Sequence, residues 1–122
     1  MDDLVRTGTL QVTPAREADG TRVLRVRGAV DRTVTGPWAE ALHAGAETGG
    51  DIHLDMSGLV FIDVGGLRVL VEAAARLDGG RRYRVRNLAP PMHRVVRLTG
   101  WDRAAGLVID RWSGEAGRPV PM

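Results

Sequence analysis

The sequence predicts a single α/β domain: a mixed, mostly parallel sheet of four to five strands with helices on one face. Three observations predict it. Strand-like and helix-like apolar patterns alternate along the chain in the order β-β-α-β-α-β-α-β. The strand-like segments alternate apolar with polar residues, whereas parallel strands covered on both faces read as continuous apolar runs. Finally, 122 residues, 43% of them hydrophobic, suffice for one core. Only 4% are aromatic, so Val, Leu, Ile and Ala must fill it.

Residues 1–7 are polar and read as a flexible N-terminus, 8–112 as the domain, and 113–122, rich in Gly and Pro, as a flexible tail. Within the domain, 9–13 alternates polar and apolar, 14–20 is a turn and 22–28 a second strand, together an antiparallel hairpin. A loop through Asp31 follows. Pro37 suits the first position of a helix that places Trp38, Ala41, Leu42 and Gly45 on one face and ends at Gly49-Gly50. A strand at 51–57 points Ile52, Leu54 and Met56 one way, and 58–65 is a loop. The strongest helix pattern is 66–77, with Leu67, Leu70, Val71, Ala74 and Leu77 as its stripe and Asp78-Gly79-Gly80 as its stop. A strand at 82–87 turns Tyr83 and Val85 inward. Pro91 opens a helix that Gly100 closes, and 107–109 is a last short strand. Right-handed crossovers between the parallel strands then give a short βα superhelix. Trp38, Trp101 and Trp112 read as anchors of the elements that carry them.

Composition excludes several functions. Without cysteine there is no disulfide scaffold, thiolate zinc site or cysteine nucleophile. No apolar run is long enough to span a bilayer, and Met1-Asp2-Asp3 opens no secretory signal, so a cytoplasmic protein is expected. All 17 basic residues are arginine and the net charge is only +2; the high pI reflects the arginine pKa and does not by itself imply nucleic-acid binding. Arg25, Arg27, Arg82, Arg84 and Arg86 fall on the polar sheet face. They read as a docking surface for an acidic partner or nucleic acid, or as a solvated face whose arginines pair with Asp51 and Asp55 across strands. The second reading is preferred, because that face lacks aromatics for base stacking. His53, Asp55 and Ser57 share one strand face and are triad residue types. A rise of about 3.3 Å per residue, however, puts the outer two backbones roughly 13 Å apart, and a triad needs them in contact. His43, His53 and His93 are isolated, so no metal is expected. Gly65-Gly66 lacks the Lys-Ser/Thr of a P-loop, and no cofactor is expected.

The most informative stretch runs from Leu54 to Leu70: strand, apolar loop, Asp63, two glycines, helix. A helix start left open by glycines presents free N–H groups that suit an anion or acidic partner; the structural alternative is a tight turn capped by Asp63. The segment resembles the signature of the STAS domain family: Asp-hydrophobic-Ser, an apolar loop, then Asp-Ser-Ser/Thr-Gly-Leu opening a helix. Asp55, Ser57, Phe61, Asp63, Gly66 and Leu67 match it in order. Gly28-Ala29-Val30-Asp31 resembles the family's Gly-Glu-Leu-Asp stretch with Ala29 in place of Glu. Asn87-Leu88-Ala89-Pro90 and Leu98-Thr99-Gly100-Trp101-Asp102 resemble later landmarks, so the likeness covers about residues 8–110.

The resemblance implies a non-enzymatic protein-binding module of the anti-sigma factor antagonist type. Its partner would be an anti-sigma factor that is also a GHKL-type serine kinase, and capturing it would release a sigma factor. In that family the kinase phosphorylates the first Ser of Asp-Ser-Ser/Thr-Gly, which breaks the complex. Here that phosphoacceptor position is Val64, followed by Gly65, so the switch has no hydroxyl to act on and a constitutive antagonist is expected. The alternative is a STAS subunit of a signalling complex or of an ABC-type lipid transporter; nucleotide or nucleic-acid binding ranks lower, and a homodimer is left open. The partner-binding residues implied are Asp31, Arg32, Asp63, Val64, Gly65, Gly66, Leu67 and Arg68, with Leu67 alternatively a core residue. Ser57, Thr33 and Thr35 are other hydroxyls nearby, better read as backbone caps.

Overall fold

Strands β1 (Val5–Thr7), β2 (Leu10–Arg16), β3 (Arg22–Val30), β4 (Ile52–Ile62), β5 (Tyr83–Arg86) and β6 (Leu107–Ile109) form one sheet in sequential order. This is a computed structural model that describes the backbone of residues 5–7 and all of residues 9–110. The expectations for Trp112 and for the 113–122 tail lie outside the described residues. β1–β2 and β2–β3 are antiparallel, and β3 through β6 are parallel. The parallel steps pass through α1 (Thr35–Ala46), α2 (Val64–Ala75) and α3 (Pro90–Thr99). Each step moves one strand in the same direction, so right-handed crossovers stack all three helices on one face. The strands alternate buried with open residues accordingly, BiBi along β5 for example, as the sequence predicts. Among the described residues, no helix is long and apolar enough to cross a membrane.

Besides shifts of one or two residues at other element ends, the structure departs from the sequence reading in four places. β1 lies inside the segment read as a flexible N-terminus, pairing Val5 with Val12 and Thr7 with Leu10; three residues are too few to show a period. β2 runs through Pro14, which faces Leu24. Pro14 lies beyond Val12, the last β2 residue with a described partner in β1, and proline suits sheet positions whose N–H no ladder needs. The hairpin turn then tightens to the residues after Arg16, closed by Gly20 N–H donating to Glu17 O at 2.9 Å. α1 begins two residues before Pro37, because a 3-10 turn at Arg32–Val34 leads directly into it; an N–H is not needed in a first helical turn. Lastly, β4 does not stop at Ser57 but continues to Ile62.

The core is aliphatic, with Trp38 and Tyr83 its largest buried side chains. Tyr83 ties sheet to helix: its phenol donates to Leu42 O at 2.7 Å. Burial pushes the Tyr83 pKa up to about 12. A folded-state pKa raised above its unfolded value means stabilisation that is complete below the unfolded value and lost as pH climbs through the folded one. Urea midpoints should therefore fall between about pH 10 and 12, and fall less in Tyr83→Phe, which costs about 1 kcal/mol at neutral pH. Tyr83 is the chain's single tyrosine, so tyrosinate absorbance reads it alone; a folded protein that titrates at the ordinary value would contradict the account.

On the open face, Arg84 Nε meets Asp51 Oδ2 at 2.9 Å, the expected cross-strand pair. Arg86 pairs not with Asp55 but with Glu17 from the hairpin turn, at 3.0 Å. Such half-exposed pairs contribute about 0–1 kcal/mol each.

Candidate partner-binding site at the start of α2

Asp31 and Asp63 are the first residues past two neighbouring parallel strands, since Val30 and Ile62 are register partners. Asp63 N–H donates to Val30 O at 3.1 Å, so β3 fixes where the second loop leaves the sheet. Each aspartate then caps a helical turn. Asp63 is extended (φ −85°, ψ 175°) and its Oδ1 accepts from Gly66 N–H at 2.7 Å, the side-chain bond expected of an N-cap. Its carbonyl accepts from Leu67 N–H at 3.0 Å. Asp31 Oδ1 accepts from the Thr33 hydroxyl at 2.5 Å and the Thr33 amide at 2.9 Å. Those two bonds, the hydroxyl first, hold the Asp31 pKa below the ordinary aspartate value. Thr33 is thus a capping hydroxyl, as is Thr35, whose Oγ1 lies 3.4 Å from Arg32 O.

The eight residues of the sequence reading divide by exposure. Arg32, Val64, Gly65 and Arg68 are open, and Asp31 and Asp63 are half-buried. Gly66 and Leu67 are buried, Leu67 with 2% exposure, which for Leu67 is the core alternative of the sequence reading. Leu67 fills the core, and Gly66 is where α2 meets the sheet. A Cβ on Gly66 would stand 2.7 Å from Val30 Cγ1 and 2.8 Å from Ile62 Cγ1, inside van der Waals contact. The Gly66 carbonyl meanwhile accepts from the buried Trp38 indole N–H at 3.0 Å. Trp38 and Gly66 therefore set the height of the α2 N-terminus, and Val64, one residue past the cap, stands 50% exposed above it.

The sequence reading missed Val60 and Phe61, treated there as a loop. Two register shifts interrupt the β3–β4 ladder, and at the second Gly28 faces Leu59 while Ala29 faces Phe61. Val60 is the extra residue of a bulge, and bulges re-aim side chains. Val60 is 82% and Phe61 50% exposed. An uninterrupted run of apolar residues at 59–62 was the available signal for a strand. Its outward turn has no signature in composition.

The polar strand face holds no triad. The Ser57 amide donates to Asp55 Oδ1 at 3.0 Å, and Asn87 Nδ2 donates to the same oxygen at 3.0 Å. Burial alone would raise the Asp55 pKa, but the bonds from Asn87 and Ser57 and the Arg86 charge bring it below the ordinary value. Asn87 holds this bond from a left-handed backbone (φ 62°). Asp55 thus locks β4 to the chain leaving β5. No group of three or more metal-ligating side chains occurs among the described residues.

Known proteins resemble this chain as follows. A family model described as "Mlab, STAS domain" matches residues 14–109. A comparison with curated proteins returns no match. Among solved structures, an anti-sigma factor antagonist from Mycobacterium paratuberculosis superposes with a TM-score of 0.64 at 24% identity, covering 81% of this chain and 85% of that one. The anti-sigma factor antagonist SpoIIAA in its unphosphorylated form gives 0.58 at 18% identity, covering 85% and 91%.

Proposed function

The chain belongs to the STAS domain family, and from that premise we propose that it is a cytoplasmic, non-enzymatic binding module that acts as an anti-sigma factor antagonist without a phosphorylation switch. The observation that carries this reading is Val64, half-exposed at the first position of α2, where the family signature has the phosphoacceptor serine. Val60, Phe61 and Val64 are exposed apolar side chains flanking the Asp63 cap in the chain, and with the more polar Asp31, Arg32, Gly65 and Arg68 they make up the proposed contact surface. Apolar centres with polar rims suit protein partners. The partner is an anti-sigma factor of the GHKL serine-kinase type, and its capture releases a sigma factor. Gly66 and Leu67 act from beneath, holding the helix end at its height.

Phosphorylation would bring about −1.5 to −2 charges to this helix end; valine cannot receive them. Incubation with a cognate anti-sigma kinase and ATP should leave the intact mass unchanged and the complex undiminished on gel filtration. A phosphopeptide containing Ser57, Thr33 or Thr35 would overturn the constitutive reading.

A second reading keeps the surface and changes the partner: a STAS subunit of a signalling complex or of an ABC-type lipid transporter. The matching family model is compatible with it, since its description names a STAS domain and no antagonist. A permanent subunit needs no switch either. Stable co-purification with transporter subunits, and no complex with an anti-sigma kinase, would select this reading.

A further inference from the structure

At the opposite end of the sheet from Asp63, a cavity of about 490 Å³ opens between the β2–β3 hairpin, the end of α1 and the start of β4. Its floor is aliphatic: Pro14, Leu24, Ala44 and Ile52. Its rim carries Arg16 and Arg22, which are direct register partners across the hairpin. By the two-residue period of a strand, both arginines lie on the helix-facing side, with Pro14 and Leu24 next to them and the core pair Val12 and Val26 beyond. α1 ends at Ala46, so among the described residues no helix covers that side.

Like charges directly opposite each other destabilise a strand pair, and Asp51, the one carboxylate among the described residues lining the cavity, is held by Arg84 instead. Among the described residues, neither arginine makes an ion pair; Arg16 Nη1 donates to Gly20 O at 3.0 Å. The nearby acids are committed elsewhere: Asp51 to Arg84, Glu17 to Arg86, and Asp19 to the Thr21 amide at 2.9 Å. From this juxtaposition of an aliphatic cavity and an uncompensated arginine pair, we infer that the site binds a small amphipathic anion, an alkyl chain ending in a carboxylate. The chain lies on Pro14, Leu24, Ala44 and Ile52 while the head group bridges Arg16 and Arg22. The volume is that of a small-ligand pocket, and its described lining holds no Phe, Tyr or Trp, with His53 its single aromatic ring, which disfavours a stacked base or nucleotide. The inference is independent of the partner-binding surface.

The test is an amide NMR titration of the whole protein with decanoate below its micellar concentration, beside decan-1-ol and inorganic phosphate. Decanoate should shift the amides of Leu24, Gly45 and Ile52 saturably, with each control roughly tenfold weaker, the loss of a charge-assisted contact. The double variant Arg16→Gln with Arg22→Gln should bind decanoate no better than decan-1-ol and yet melt higher, because the repulsion is gone. Ala44→Phe should fill the cavity and abolish binding. The inference is overturned if decanoate produces no saturable shift there, if decan-1-ol binds equally well, or if either variant keeps the native affinity.

Discussion

Val64→Asp is expected to weaken the complex with the proposed anti-sigma partner by roughly a hundredfold while leaving the melting temperature unchanged or slightly higher. The two effects have separate causes. An unpaired carboxylate forced into an apolar contact costs about 2–4 kcal/mol of binding, and each 1.4 kcal/mol is about a factor of ten. In the free protein the same carboxylate sits in the first turn of α2, next to unsatisfied N–H groups and the positive end of the helix dipole, which favour it. Val64 is half-exposed, so its loss leaves no buried cavity. Leu98→Asp is the control: Leu98 is 81% exposed on α3, away from the α2 start, and its replacement should not change the affinity. Calorimetric titration and a thermal melt of both variants decide the matter. Native affinity in Val64→Asp would remove this surface from the interface, and a shared loss in Leu98→Asp would make the effect one of charge alone.

That prediction rests on a placement the sequence revealed only in part. The order of strands and helices, the single covered face and the capping role of Asp63 were legible, because each follows from a local period or a local side-chain bond. The division of the site was legible only for Leu67, which the helical stripe offered as a core residue. Gly66 sits in the same motif as Val64, and spacing alone offers no way to tell that it faces the sheet. Packing separates them: Val30 and Ile62 close on Gly66 from one side and the Trp38 indole holds its carbonyl on the other. Trp38 lies 28 positions away in the chain, too far for any local pattern to report. Val60 and Phe61 illustrate the converse. Their apolar character was plain, but it predicts burial, and only the bulge opposite Gly28 and Ala29 turns them to solvent. The Arg16–Arg22 pair likewise depends on a hairpin register that the Pro14 position obscured.

Gly28 offers the sharpest test of the register that produces all of this. Gly28→Ala should cost about 4 kcal/mol or more, enough to leave little folded protein, a magnitude single substitutions reach only by a specific clash or buried defect. Gly28 has φ +93°, and a Cβ there would fall 1.6 Å from the Thr9 carbonyl oxygen. That obstacle is backbone, so no rotamer change relieves it. Gly20 provides an internal control, with φ +91° and nothing within 4 Å of its would-be Cβ. Gly20→Ala therefore bears only the conformational cost of a side chain at positive φ, about 1–2 kcal/mol. The difference between the two variants isolates the contact between the Thr9 turn and β3. Should Gly28→Ala survive, the turn must have lifted, and amide exchange at Leu10 and Val12 should accelerate first. The disturbance should then travel along β3 to Val30, whose carbonyl holds the Asp63 amide at 3.1 Å, and weaken partner binding with it. Equal melting temperatures for the two alanine variants would mean that the Thr9 carbonyl does not press on β3, and that the bulged register behind Val60 and Phe61 is wrongly placed.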